Sequence, residues 1–232
     1  MKTTFEIIGD VRGIEKQCPV CGVTFTALGG IFAKLQTLCP VHAREHADAV
    51  EAERTAATLA ARVEKWRAIC PPDYRNLRRE LLPLPEKLDE VIAWQRNPKG
   101  LILHGATGHG KTRCAWALLE REFMAERSVR IMDSMAGLRY ASMFSRGAEN
   151  VEEWVNGVID AQIVLLDDVF KNKLTDSFEG VVFTIIDQRI QYRRPVIVTC
   201  NDTEATLITR MSADRGEPMM RRLRDHCTPI QF

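Results

Sequence analysis

No apolar run in the 232-residue sequence approaches the roughly 18 residues that a membrane-spanning helix needs, and the N-terminal MKTTFEIIGD has too short an apolar stretch for a signal peptide. A cytoplasmic protein without a membrane partner is expected. An excess of charge is lacking too: 32 Lys+Arg stand against 31 Asp+Glu, so any contact with nucleic acid has to come from a local basic patch. The length excludes a three-domain enzyme and leaves one full-sized domain with about 40 to 60 residues for an appendage. A disulfide framework is excluded as well, because the seven cysteines are odd in number and belong in a reducing compartment. What remains, 45% apolar and 27% charged, is a globular composition and not that of a disordered tail.

Three of the seven thiols cluster. Cys18-Pro-Val-Cys21 is followed, after seventeen residues, by Cys39-Pro-Val-His42. Each half-site places two ligands on one tight turn, and together they supply the four donors of a tetrahedral structural zinc site. Gly22 follows the first half-site where such a turn commonly requires positive φ, and Gly29-Gly30 breaks the intervening segment. His46, one helical turn beyond His42, is the alternative fourth ligand; the mirrored spacing favours His42. With so few residues to form a core, a module over 1–45 would depend on zinc, and adhesion to another macromolecule is its expected task.

Residues 43 to 69 are Ala-rich and charged without Gly or Pro, and Ala52, Ala56, Leu59, Val63 and Trp66 share one helix face. This predicts a helical linker over 46–70, packed by one stripe onto the main domain; the pattern is too short for a coiled-coil seam. Cys70-Pro71-Pro72 ends it, and Pro85 opens a short helix with Leu88, Val91 and Ile92 inward. From Gly100 onward, short apolar runs at 101–103, 129–132, 163–166 and 196–199 alternate with helical patterns, clearest at 178–190. That alternation predicts an α/β fold with a parallel sheet flanked by helices over 71–232.

Leu101-Ile-Leu-His104 runs directly into Gly105-Ala106-Thr107-Gly108-His109-Gly110-Lys111-Thr112 and then, from Arg113, into a helical pattern. The P-loop signature therefore stands in the strand, loop and helix context it requires. Its backbone N–H groups would cradle the phosphates of ATP or ADP, Lys111 would reach the β and γ phosphates, and Thr112 would offer its hydroxyl to Mg²⁺. Some fifty residues on, Ile163-Val-Leu-Leu166 ends in Asp167-Asp168, where Asp167 would hold Mg²⁺ and Asp168 would act on the attacking water. The next strand delivers Thr199 and Asn201 to the same edge, and the Asn201 carboxamide could bond both the γ-phosphate and the water. No spacing among His104, His109, His226, Cys70, Cys114, Cys200 and Cys227 suggests a ligand set.

GATGHGKT, IVLLDDV, Phe183-Thr-Ile-Ile-Asp187-Gln-Arg189 and RRPVIVTCN together resemble the P-loop AAA+ ATPase module of the DnaC/DnaI helicase loaders and the IstB transposition ATPases. Ile69-Cys-Pro-Pro-Asp-Tyr74-Arg75 is similar to the segment that precedes that module, so the resemblance covers 69–232. It implies an ATPase that assembles subunit to subunit, with each site completed by a neighbour's arginine. Register against the family favours Arg222 for that role, with Arg221 the alternative and Arg210 and Arg215 weaker. After Arg224 only a final strand is expected, at Thr228–Phe232, and no helical lid. The resemblance also implies that helices over 134–160, with Arg139, Tyr140, Phe144 and Arg146, track single-stranded DNA; from the residues alone, a core stripe with solvated arginines is the better reading.

The expectation is an ATP-dependent loader of a replicative DNA helicase, serving a phage or mobile element, that binds Mg²⁺, Zn²⁺ and single-stranded DNA. Its rivals are an IstB-like transposition helper on duplex DNA, a stand-alone NTPase or kinase, and a nucleotide-gated adaptor with negligible turnover.

Overall fold

The structure, a computed structural model, describes residues 13–29, 32–134, 150–171 and 175–232. The chain divides into two compact units, Met1–Arg62 and Val63–Phe232.

In the first unit, β1 (Ile14–Gln17) pairs antiparallel with β2 (Thr24–Ala27), with Ile14 opposite Ala27 and Gln17 opposite Thr24. The turn between them is closed by Gly22 N–H donating to the Cys18 carbonyl at 2.8 Å and by Cys18 N–H donating to Val23 at 2.9 Å. Gly22 takes φ 73°, a left-handed conformation that a side chain would strain. After α1 (Phe32–Leu35) comes α2 (Pro40–Ile69), whose first residue is a proline, a residue suited to a helix start. Among the described residues the core of this unit is small: Cys18, Phe25, Ala27 and Cys39, with Leu38 packed against them.

The 30-residue α2 begins earlier than residue 43 and takes the second Cys-Pro-Val half-site into its start. Within the second unit, Val63 of this helix is half-buried and Trp66 is buried.

The second unit is built on five parallel strands in the order β4 (Val129–Asp133), β5 (Ile163–Asp167), β6 (Val196–Cys200), β3 (Gly100–His104), β7 (Cys227–Gln231). Helices α3 (Pro85–Ile92), α4 (Lys111–Met124), α5 (Asn150–Asp160), α6 (Asp176–Gln191), α7 (Glu204–Arg210) and α8 (Gly216–His226) complete it. Side chains alternate across a strand, so each strand feeds two cores. Ile163, Leu165 and Ile197 join Trp66, Trp116, Leu118 and Leu119 on one face, while Val164, Leu166, Val196 and Val198 join α5, α6 and α8 on the other. Burial on both faces explains why these strands read as continuous apolar runs.

Arg189 on α6 is fully buried. Its guanidinium donates to the carbonyls of Val158, Ile159 and Ala161 at the end of α5 and to that of Pro195 before β6, at 2.7 to 2.9 Å. Burial lowers its pKa to about 9, and the free carbonyls at the helix C-terminus compensate by accepting hydrogen bonds from its N–H groups.

Candidate functional site

The two Cys-Pro-Val half-sites meet. Cys21 Sγ lies 3.9 Å from Cys39 Sγ, and His42 Nδ1 lies 3.2 Å from Cys39 Sγ and 3.6 Å from Cys18 Sγ. All four ligand atoms fall within 4.8 Å of one another. Tetrahedral bonds of about 2.3 Å to sulfur and about 2.0 Å to nitrogen would set S···S edges of about 3.8 Å and S···N edges of about 3.5 Å, so the donor set fits Zn²⁺ in size as well as in chemistry. His46 is outside the cluster and lines an apolar hollow with Leu28, Leu35 and Leu38. The Cys39 backbone amide, aimed at the Cys18 thiol, lowers the pKa of that thiol to about 6, towards the thiolate a metal takes. The Cys39 thiol raises the pKa of His42.

In the second unit, the loop from β3 to α4 opens a cleft of about 350 Å³ at the C-terminal edge of the sheet. Thr107, Gly108, Gly110, Lys111, Thr112, Arg113, Asp168 and Asn201 line it. Gly105, Gly108 and Gly110 all take positive φ, a conformation that favours glycine, and Gly108 and Gly110 line the cleft. Lys111 is buried and donates to the carbonyls of Gly105 and Ala106, each at 2.8 Å; burial holds its ammonium below the usual lysine range. His109 turns its Nδ1 into the interior without a partner. A buried ammonium that donates to two neutral carbonyls, at the N-terminus of a 14-residue helix, is a site that favours polyphosphate.

Across the cleft, Asp167 at the end of β5 accepts from Thr112 Oγ1 at 2.9 Å and from Thr199 Oγ1 at 2.6 Å. Burial raises its pKa, and these two hydroxyls oppose the rise. A hydroxyl and a carboxylate oxygen in contact are hard donors of the kind Mg²⁺ takes, so Thr112 and Asp167 fit that ion. Asp168 is left-handed at φ 49°, and its carboxylate accepts from Asn201 Nδ2 at 3.2 and 3.4 Å.

Other residues of the cleft were missed in the sequence. Tyr74, Leu81 and Pro83 form its apolar wall, and the Tyr74 ring stacks on Trp116 of α4 at 5.7 Å and 14°. The Pro-Pro-aromatic segment was visible, but nothing in it announced a place in the cleft. Thr199 was assigned only to the sheet edge.

Arg222 does not line the cleft. It lies between α8 and α6, with Nε 2.6 Å from Asp187 Oδ1, Nη1 3.3 Å from the Pro218 carbonyl and its guanidinium carbon 5.0 Å from the centre of the Phe183 ring. Arg221 is exposed. Arg210 pairs with Asp202, and Arg215 donates to the Asp176 carbonyl. Arg139, Tyr140, Phe144 and Arg146 lie outside the described residues. No described helix is long and apolar enough to cross a membrane.

The signature of the IstB-like ATP binding protein family matches residues 36–231. No curated protein sequence matches the chain significantly. Among solved structures, the DnaC helicase loader is similar with a TM-score of 0.57 at 19% identity, over 70% of this chain and 99% of that one. DnaI follows at 0.51 and 21%, over 68% and 86%. AMPPCP-bound DnaA from Aquifex aeolicus gives 0.53 and 15%, over 64% of this chain and 45% of that one. This chain thus spans less than half the length of that DnaA chain. At such identities the likeness is one of fold, a parallel sheet flanked by helices as in P-loop AAA+ domains.

Proposed function

The chain belongs to the family of IstB-like ATP binding proteins, and from that premise we propose that it is an ATP-dependent loader of a replicative DNA helicase. The family and fold make it an AAA+ ATPase. Residues 1–45 serve as a zinc-held adhesive module, 46–70 as a helical linker and 71–232 as the ATPase domain, working in the cytoplasm. The observation that carries nucleotide chemistry is the cleft in which Lys111, Thr112, Asp168 and Asn201 converge, with Asp167 held behind Thr112 by a hydrogen bond. Support for loading comes from the fold, which extends over nearly all of the solved DnaC helicase loader.

Bound Mg²⁺ would be held by Thr112 and Asp167 and would neutralise charge on the phosphates. The backbone amides of residues 105–110 and Lys111 bind and orient those phosphates, while Arg113 lies at the cleft rim. Asp168 accepts a proton from water positioned with the help of the Asn201 carboxamide, which already reaches the Asp168 carboxylate. Arg222, absent from its own cleft, completes the cleft of a neighbouring subunit, where a cation stabilises charge on the transferring phosphoryl group. Zn²⁺ on Cys18, Cys21, Cys39 and His42 is structural, since all four donors come from the protein and leave no open position.

The family signature also supports a second reading, an IstB-like transposition helper acting on duplex DNA. Competition between single-stranded and duplex DNA in the presence of ATP, together with co-purification of a replicative helicase, separates the two. Helicase capture with a single-strand preference is expected. A strong duplex preference without helicase would establish the second reading.

A further inference from the structure

We propose that Thr199 is a positioning residue for ATP hydrolysis, a single buried hydroxyl that holds the magnesium-binding and the water-activating aspartates in register. The inference rests on the roles given above to Asp167 and Asp168. Thr199 lies on β6, directly opposite Asp167 of β5 in the parallel register, and is fully buried.

The direction of its hydrogen bonds is forced. A threonine hydroxyl has one proton to give and lone pairs to accept with. The Asp168 backbone amide can only donate, and it does so to Thr199 Oγ1 at 2.9 Å. The one proton of the hydroxyl therefore goes to Asp167 Oδ1, at 2.6 Å. Thr112 donates to the same oxygen at 2.9 Å, so both hydroxyl donors meet on Oδ1.

Asp168 benefits from the same contact in another way. A non-glycine residue at φ 49° is uncommon, and at this position it is what turns the carboxylate out of the strand direction and into the cleft. Thr199 satisfies the amide of that turned residue, and Asn201, just past the end of β6, reaches its carboxylate at 3.2 Å. Thr199 thus holds the backbone of Asp168 and Asn201 its side chain. The β-branched threonine has restricted χ1 freedom, which keeps the hydroxyl where both partners need it.

The test compares Thr199→Val, Thr199→Ser, Asp168→Asn and wild type, using the full chain, single-turnover ATP hydrolysis, Mg²⁺ titration and binding of a fluorescent ATP analogue. Valine keeps the shape and deletes the hydroxyl. Partners of this kind around a metal ligand are worth roughly 10- to 100-fold in activity or metal affinity. Thr199→Val should therefore lose about tenfold or more in rate and need more Mg²⁺, with metal-free analogue affinity within about threefold of wild type. Thr199→Ser should recover most of the rate. If Thr199→Val misfolds, Thr199→Ala deletes the same hydroxyl without placing a methyl against the two polar partners. Wild-type rate and Mg²⁺ requirement in the hydroxyl-free variant, while Asp168→Asn is inactive, would overturn the proposal alone. Wild-type turnover in Asp168→Asn would overturn the roles of the acidic pair and this proposal with them.

Discussion

At the residue scale, binding and hydrolysis reside in different side chains. Lys111→Ala removes the buried ammonium that faces the phosphates and should abolish ATP binding, read by calorimetry. Asp168→Asn keeps the cleft and the Asn201 contact and should bind ATP but lose turnover by about 100-fold or more, within the range of general-base contributions. The two variants should therefore separate in affinity. Asp167 makes a pH prediction with a definite sign. Its carboxyl binds a proton more tightly in the folded protein than in the unfolded chain, because burial raises its pKa. This increment of stability is present at low pH and is lost as pH rises through the folded pKa. Magnesium binding needs the carboxylate and runs the opposite way. The stabilisation by Mg²⁺ with ATP in thermal unfolding should therefore grow as pH rises through the raised pKa of this carboxyl, and Asp167→Asn should flatten that growth.

At the scale of elements, the pairing of α8 with α6 holds Arg222 in place before any neighbour arrives. Two of its N–H groups and one face of its plane are engaged within the chain, by Asp187, the Pro218 carbonyl and Phe183. Arg222→Ala should be inactive alone yet regain turnover when mixed with Lys111→Ala, because a mixed interface can pair one intact cleft with one intact arginine. Rates independent of protein concentration, with no rescue on mixing, would show a self-contained site. The parts that were legible in the sequence are those confined to one element or one turn. The P-loop is a contiguous run, and Asp167 stands at the end of an apolar strand. Contacts made by sheet register were not legible: Thr199 and Asp167 are 32 residues apart, and only the observed neighbouring of β5 with β6 brings them together. Arg189 stands in a run that carries the family resemblance, but its buried anchoring was not legible because its partners are backbone carbonyls, which leave no trace in side-chain patterns.

At the scale of the whole molecule, the two units differ in what holds them. The second has two apolar layers around its sheet, whereas among the described residues the first has four buried core residues, of which Cys18 and Cys39 belong to the metal cluster. So small a described core would lean on zinc, and structural zinc contributes apparent free energies on the order of 10 kcal/mol in small modules. Chelation should therefore abolish protection of backbone amides from hydrogen exchange in residues 14–27, with strands of the second unit unaffected. Metal analysis of protein purified without chelator should find one zinc per chain.

The stacking beside the cleft gives the protein an optical reporter of its own. Trp116 stacks on Tyr74, which lines the cleft, and packs 5.8 Å from Trp66. Both indole nitrogens are buried without a hydrogen-bond partner, so this pair should emit at the blue end of the tryptophan range. Trp94, by contrast, donates to the Lys99 carbonyl. A ligand pressing on Tyr74 would alter the quenching of Trp116, and ATP should change the intensity of the short-wavelength emission. Trp116→Phe should silence that change while leaving ATP affinity within about threefold of wild type, since stacking on Tyr74 is retained by the smaller ring.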